Sequence, residues 1–187
     1  DLYGKPMLHE LLRRLCDVDG IAWIRLLYCY PETLTDETIQ VMAEEPKICH
    51  YIDIPIQHGS DTVLKKMGRK TNQAELKERI GALRKAMPDM AIRTTLIVGF
   101  PQESEEEFRE LLDFVEEMQF ERLGVFTYSQ EEGTAAARMD GQIDEDAKQE
   151  RKDQVMALQK DISAKYCQKF VGKTVRVLVE GKSPEDE

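Results

Sequence analysis

The sequence predicts an α/β protein built on a parallel sheet, and two observations carry that expectation. Four short runs rich in β-branched and aromatic residues recur along the chain, each followed by a helical pattern. Strand–helix–strand alternation of this kind produces parallel pairing. The runs also have one greasy and one polar face. Ile52, Ile54 and Ile56 share a side opposite Asp53, Pro55 and Gln57, and Ile92, Leu96 and Val98 oppose Arg93, Thr95 and Gly99. An open sheet covered on both faces would read as continuously apolar. The alternation favours a barrel or part-barrel whose lumen holds a polar ligand.

The elements follow in order. A helix over Pro6–Cys16 carries proline near its start. The first strand is expected over Ile21–Tyr28 and a helix near Thr38–Glu45. The second strand, Tyr51–Gln57, leads to a short helix over Asp61–Met67 that Gly68 ends. Asn72 with Glu75 and Ser104 with Glu107 form capping boxes that start helices over Ala74–Met87 and Glu105–Met118. The third and fourth strands are Ala91–Gly99 and Leu123–Tyr128. Asp144 caps a long helix to about Phe170, roughly 40 Å at 1.5 Å per residue. After Gly172, alternation of Val175, Val177 and Val179 predicts one strand over Lys173–Glu180. One strand cannot be a domain. The expected organisation is a partial barrel over 1–143, a connecting helix over 144–170 and the start of a β module over 171–187.

Sites in such folds lie at the carboxyl ends of the strands. The loops there read CYPE (Cys29–Glu32), QHGSD (Gln57–Asp61), GFPQES (Gly99–Ser104) and YSQEEGT (Tyr128–Thr134). Arg25, Asp53, Gln57, Arg93, Thr95 and Tyr128 are expected to line the lumen. Arg25 and Asp53 read equally well as a structural pair on neighbouring strands. His58 reads as a hydrogen-bonding group rather than an acid or base. Neither glycine loop matches a dinucleotide or P-loop pattern.

Composition narrows the function. The 187 residues carry a formal net charge of −10, which argues against a general nucleic-acid binder. Residues 101–150 hold 16 acidic and 4 basic groups, net −12. The longest stretch without Lys, Arg, Asp or Glu is the nine residues Thr94–Gln102, against roughly 20 apolar residues for a membrane span. The four cysteines, Cys16, Cys29, Cys49 and Cys167, have no CxxC or CxxxCxxC spacing. They suggest no zinc ribbon, no cysteine-held cluster and no disulfide framework, so a cytoplasmic location is expected. The chain begins at Asp1, which suggests a fragment.

Six segments now carry a resemblance: WIRLLYCYPE (Trp23–Glu32), HYIDIPIQHGSD (His50–Asp61), LKKMGR (Leu64–Arg69), IRTTLIVGFP (Ile92–Pro101), RLGVFTYSQEEGT (Arg122–Thr134) and VGKTVRVLVEG (Val171–Gly181). Together they resemble the radical S-adenosylmethionine (SAM) methylthiotransferases over nearly the whole chain. RLLYCYP and YIDIPIQH resemble the RimO type, which adds a methylthio group to the β-carbon of an aspartate in ribosomal protein S-twelve.

The resemblance implies the last four strands of a (β/α)6 radical-SAM part-barrel, then a helix and the first strand of a TRAM-like β-barrel. It implies SAM and two [4Fe–4S] clusters as cofactors, with the cluster cysteines absent from this chain, and hence an inactive isolated polypeptide. It places Gln57, His58, Ser60, Arg93, Thr95, Gly99, Phe100, Pro101 and Tyr128 around SAM. The implied partner is a basic ribosomal protein, with no membrane and with nucleic acid disfavoured as the direct target. A transfer-RNA methylthiotransferase and a non-catalytic SAM- or partner-binding module are the alternatives. Gln102 departs from the family, which usually has glycine there.

Overall fold

A computed structural model describes residues 3–179 and 181. Four strands, β1 (Ile24–Leu26), β2 (Ile48–Gln57), β3 (Ala91–Val98) and β4 (Arg122–Thr127), form one parallel sheet in the order β1-β2-β3-β4. Parallel strands in sequential order, joined by right-handed crossovers, place the connecting helices on one side of the sheet. That winding distinguishes a barrel segment from a doubly wound sheet. The helices are α1 (Leu8–Cys16), α2 (Asp36–Glu44), α3 (Asp61–Lys66), α4 (Gln73–Ala86), α5 (Glu105–Met118) and α6 (Glu145–Gln168).

The core lies between the sheet and these helices. Ile52, Ile54, Ile56, Ile92, Leu96 and Val98 of the strands pack with Leu76, Leu83, Leu111, Phe114 and Val155 of the helices, all buried. Both capping boxes form. Asn72 Oδ1 accepts the Glu75 N–H at 2.9 Å, Ser104 Oγ accepts the Glu107 N–H at 3.2 Å, and each glutamate returns the bond to the cap backbone. Gly68 has φ +73° after α3, as a C′ glycine should. Asp144 caps α6 by accepting the Asp146 N–H at 2.9 Å.

Three expectations need correction. The first strand shrinks from Ile21–Tyr28 to Ile24–Leu26, because it has one neighbour, meets it with a register shift, and Tyr28 turns out of extended geometry at φ +57°. Residues 173–179 form no strand. They are exposed and unpaired, since no edge among the described residues supplies the ladder that an alternating segment needs; Glu180 lies outside the described residues. Asp53 pairs with Arg93, not Arg25, whose guanidinium instead lies 4.6 Å from the Tyr51 ring centroid.

Two substitutions test this core. Ser104→Ala should cost about 1 kcal/mol of unfolding free energy through the lost cap, and Leu111→Ala about 2–5 kcal/mol through the cavity it leaves. Urea titration followed by circular dichroism reads both. Equal effects would mean that α5 is not packed as described.

Candidate functional site

The polar face of the sheet forms a cavity of about 430 Å³. Its floor is Asp53, Pro55 and Gln57 of β2 with Arg93 and Thr95 of β3. Its walls are Tyr28, Tyr30 and Phe126. Asp53 and Arg93 sit directly opposite each other in the β2–β3 register. Asp53 is only 1% exposed; its Oδ2 accepts the Tyr28 N–H at 3.3 Å. Its Oδ1 lies 3.6 Å from Arg93 Nη1 and has no hydrogen-bond partner among the described residues. The Arg93 side chain is 46% exposed and lines the cavity.

Backbone strain marks the same place. Pro55 has no N–H to give the ladder, and the β2–β3 register shifts between Ile54 and Gln57. The Pro55 carbonyl instead accepts from Arg69 Nη2 at 2.7 Å, and the Arg69 guanidinium stacks 5.2 Å from the Tyr30 ring. Gln57 beyond it adopts φ +77° and Tyr28 φ +57°, a left-handed conformation that costs of order 1–3 kcal/mol for a non-glycine residue. The strain aims both side chains at the cavity.

The residues expected around the ligand divide into two layers. Gln57, Arg93 and Thr95 line the cavity. His58, Ser60, Gly99, Phe100 and Pro101 are buried and do not line it. The loop after β2 folds inward because Gly59 lies against Phe114, where an added Cβ would stand 2.8 Å from the Phe114 Cβ. His58 is fully buried, and its Nδ1 accepts the Ser60 N–H at 2.9 Å. Tyr128 is half-buried and stacks edge-on against Phe100 with centroids 5.3 Å apart; it and Arg25 do not line the cavity. Sequence reasoning put Pro55 on the polar face of its strand but did not name it, Tyr28, Tyr30 or Phe126 among the lining. Phe126 shares the strand parity of Tyr128 and was findable; Tyr28 and Tyr30 enter only through the turn at φ +57°.

The arrangement suits a ligand that is both donor and acid. A buried carboxylate oxygen with no hydrogen bond among the described residues calls for a hydroxyl or ammonium, and a half-exposed guanidinium calls for a carboxylate. An iron–sulfur cluster does not fit the residues present. No metal-holding group of three or more His, Cys, Asp or Glu occurs among the described residues, and all four cysteines are free. No helix among the described residues is long and apolar enough to cross a membrane.

Comparison with known proteins agrees with this fold. A family model described as the radical SAM superfamily matches residues 2–115. The chain is 55% identical over 186 residues to the protein named ribosomal protein uS12 methylthiotransferase RimO of Lachnoclostridium phytofermentans, covering 100% of this chain and 42% of that one. It is 51% identical over 187 residues to the protein of the same name from Geobacter sulfurreducens, again 42% of its length. The structure is similar to coproporphyrinogen III oxidase of Escherichia coli, a radical SAM enzyme, with TM-score 0.64, 20% identity, and 83% of this chain and 36% of that chain covered. The chain belongs to the radical SAM superfamily. It spans about two-fifths of the length of the curated relatives it matches.

Two expectations follow from the site. Gln102 holds φ +62°, with its N–H on the Gly141 carbonyl at 2.8 Å. Gln102→Gly should raise stability by about 1 kcal/mol, because relief of left-handed strain exceeds the loss of an exposed amide bond to Asp140. A lower melting temperature would contradict that. Burial and, less strongly, the Asp53 charge push the Cys29 thiol above its ordinary value. Its thiolate therefore forms only at more alkaline pH. Iodoacetamide at pH 7 should label exposed Cys167 well before Cys29, and Cys29 labelling should rise above pH 9. Equal rates at pH 7 would place Cys29 outside this environment.

Proposed function

We propose that this chain forms the SAM-holding part of a RimO-type methylthiotransferase, which modifies an aspartate of ribosomal protein uS12 in the cytoplasm. The identity of 55% over 186 residues to a protein of that name carries the reading of substrate and reaction. The cavity on the polar face supports the cofactor. SAM is a zwitterionic nucleoside, and the floor offers an acceptor at Asp53 and a donor at Arg93.

The residues take distinct parts. Gln57, Arg93 and Thr95 bind the ligand from the sheet, Arg93 as a guanidinium that Asp53 orients. Gly99, Phe100 and Pro101 shape the loop beside the adenine, with Tyr128 held against Phe100. His58 and Ser60 lie beneath and fix the loop after β2. Tyr28, Tyr30 and Phe126 keep water from the ligand. Given one electron from a reduced iron–sulfur cluster, bound SAM would supply radical hydrogen abstraction, chemistry that belongs to the cofactors rather than the side chains. We assign the ligands of both [4Fe–4S] clusters to the length of the relatives that this chain does not span.

The exposed face of α5 supports a basic protein partner. Glu105, Glu106, Glu110, Asp113, Glu116 and Glu117 all face solvent. Such a field attracts a basic ribosomal protein and repels the phosphates of RNA.

Grafting tests the reading. This chain should replace the matching segment of the Lachnoclostridium protein, and the chimera, with uS12 and SAM, should yield a methylthio-aspartate by peptide mass spectrometry. Unmodified uS12 from a folded, cluster-loaded chimera would overturn the assignment. In the same chimera Arg93→Ala should raise the Kd for SAM about tenfold, the scale of one lost charge-assisted hydrogen bond. An unchanged Kd removes Arg93 from the site. Association with uS12 should slow as salt rises from 50 to about 300 mM, where exposed charges are screened within a Debye length. A salt-independent rate would remove the acidic face from the encounter.

A further inference from the structure

Helix α6 is buried along a stripe that is more polar than apolar. Lys148, Arg151, Val155, Gln159 and Ile162 succeed one another at spacings of 3, 4, 4 and 3, one face of a helix, and all are buried. Burying two cations is costly unless each is paired. Both are: Arg151 pairs with Glu103 in the loop after β3 and with Glu105 at the start of α5, and Lys148 pairs with Glu145 on α6 itself, while each also donates to a carbonyl in a loop at the carboxyl end of a strand.

Arg151 Nη1 donates to the Glu103 carbonyl at 3.0 Å and to Glu103 Oε1 at 2.8 Å, and Nη2 donates to Glu105. Glu103, whose side chain has no exposure, uses its other oxygen on the loop after β3. Oε2 accepts the Gly99 N–H at 2.9 Å and the Phe100 N–H at 3.3 Å. One turn earlier, Lys148 Nζ donates to the Tyr128 carbonyl at 3.0 Å, just past β4. The Lys148 stem fills the space above Gly99. With φ +73°, Gly99 is in the left-handed region, and a Cβ there would stand 2.3 Å from Lys148 Cγ. The two loops meet where Phe100 stacks on Tyr128. The loop after β2 joins from below. His58 Nδ1 is an acceptor, so its proton sits on Nε2, 3.5 Å from Glu103 Oε2.

We propose that Lys148 and Arg151 are positioning residues. One turn of α6 holds the loops after β3 and β4 in the shape that receives the adenosyl part of SAM, so cofactor affinity depends on the seating of α6. This rests on the cofactor reading above. It adds that the helix leading to the C-terminal segment, which touches no part of the cavity, sets the quality of the site. Simple anchoring of α6 predicts something different: loss of stability with no change in ligand affinity per folded molecule.

The test uses the whole chain, with S-adenosylhomocysteine as the probe. Arg151→Ala would leave Glu103 buried without its cation, so Arg151→Lys and Lys148→Met are used instead. The first keeps the charge but loses the fork; the second keeps the stem but loses the ammonium. Two readouts are taken on folded protein: Kd by titration calorimetry, and amide hydrogen exchange resolved by residue.

Each variant should weaken binding by about tenfold. In Arg151→Lys, exchange at Gly99 and Phe100 should quicken by about tenfold or more, while Ile92–Leu96 in the core of β3 stay protected. Unchanged exchange at Gly99 and Phe100 would overturn the fastening. Faster exchange with an unchanged Kd would overturn the positioning role. Faster exchange in a chain whose unsubstituted form binds no S-adenosylhomocysteine would leave the fastening intact and overturn the cofactor reading itself.

Discussion

Removing a carboxylate from water costs several kcal/mol even after the surroundings relax. Glu103, with no side-chain exposure, finds all its partners in what surrounds it: two backbone N–H groups and the Arg151 guanidinium. The four groups cannot move independently, because moving one leaves another orphaned in a dry interior. The loop after β3, the first turns of α6 and the buried edge of His58 are therefore one unit.

The second constraint is the two-sidedness of the sheet. Sequential parallel winding puts the helices on the Ile52, Ile54 and Leu96 side and leaves the Asp53 and Arg93 side for a ligand. Asp53 and Arg93 stabilise little by themselves, since the pair is 3.6 Å apart and one partner is half exposed. Their value is orientation. The strained turns at Tyr28 and Gln57 belong with them, because such conformations persist only where surrounding structure over-determines them. A rigid floor and strained walls together describe a binding site more economically than a defect in packing.

How much of this could be read from the amino acids depends on the range of the interaction. The capping boxes at Asn72 and Ser104 act over three residues, and they stand where their sequence signature puts them. Strand parity in β2 and β3 acts over two residues, and it placed Gln57, Arg93 and Thr95 on the cavity side. The partner of Asp53 depended on register across strands: β1 pairs Leu26 with Ile52, and the Arg25 guanidinium lies over the Tyr51 ring rather than at Asp53. Glu103 escaped notice because its cation is 48 residues away on a helix whose buried stripe is polar. The alternation of Val175, Val177 and Val179 is visible in sequence, but a strand is a property of a pair, and these residues have no partner strand among the described residues. His58 and Ser60 were expected at the ligand. The inward turn at Gly59 under Phe114, a tertiary contact, buries them outside the lining of the cavity.

The central claim is that the polar face of this sheet, and no other surface of the chain, receives an adenosyl ligand. Two-dimensional amide NMR of the unsubstituted chain, titrated with S-adenosylhomocysteine, tests it most directly. Saturable shifts concentrated at Gln57, Arg93, Thr95 and the Gly99–Phe100 backbone are the expected result. Shifts that gather on α1 around Met7 and Leu11, or that do not saturate, would contradict it.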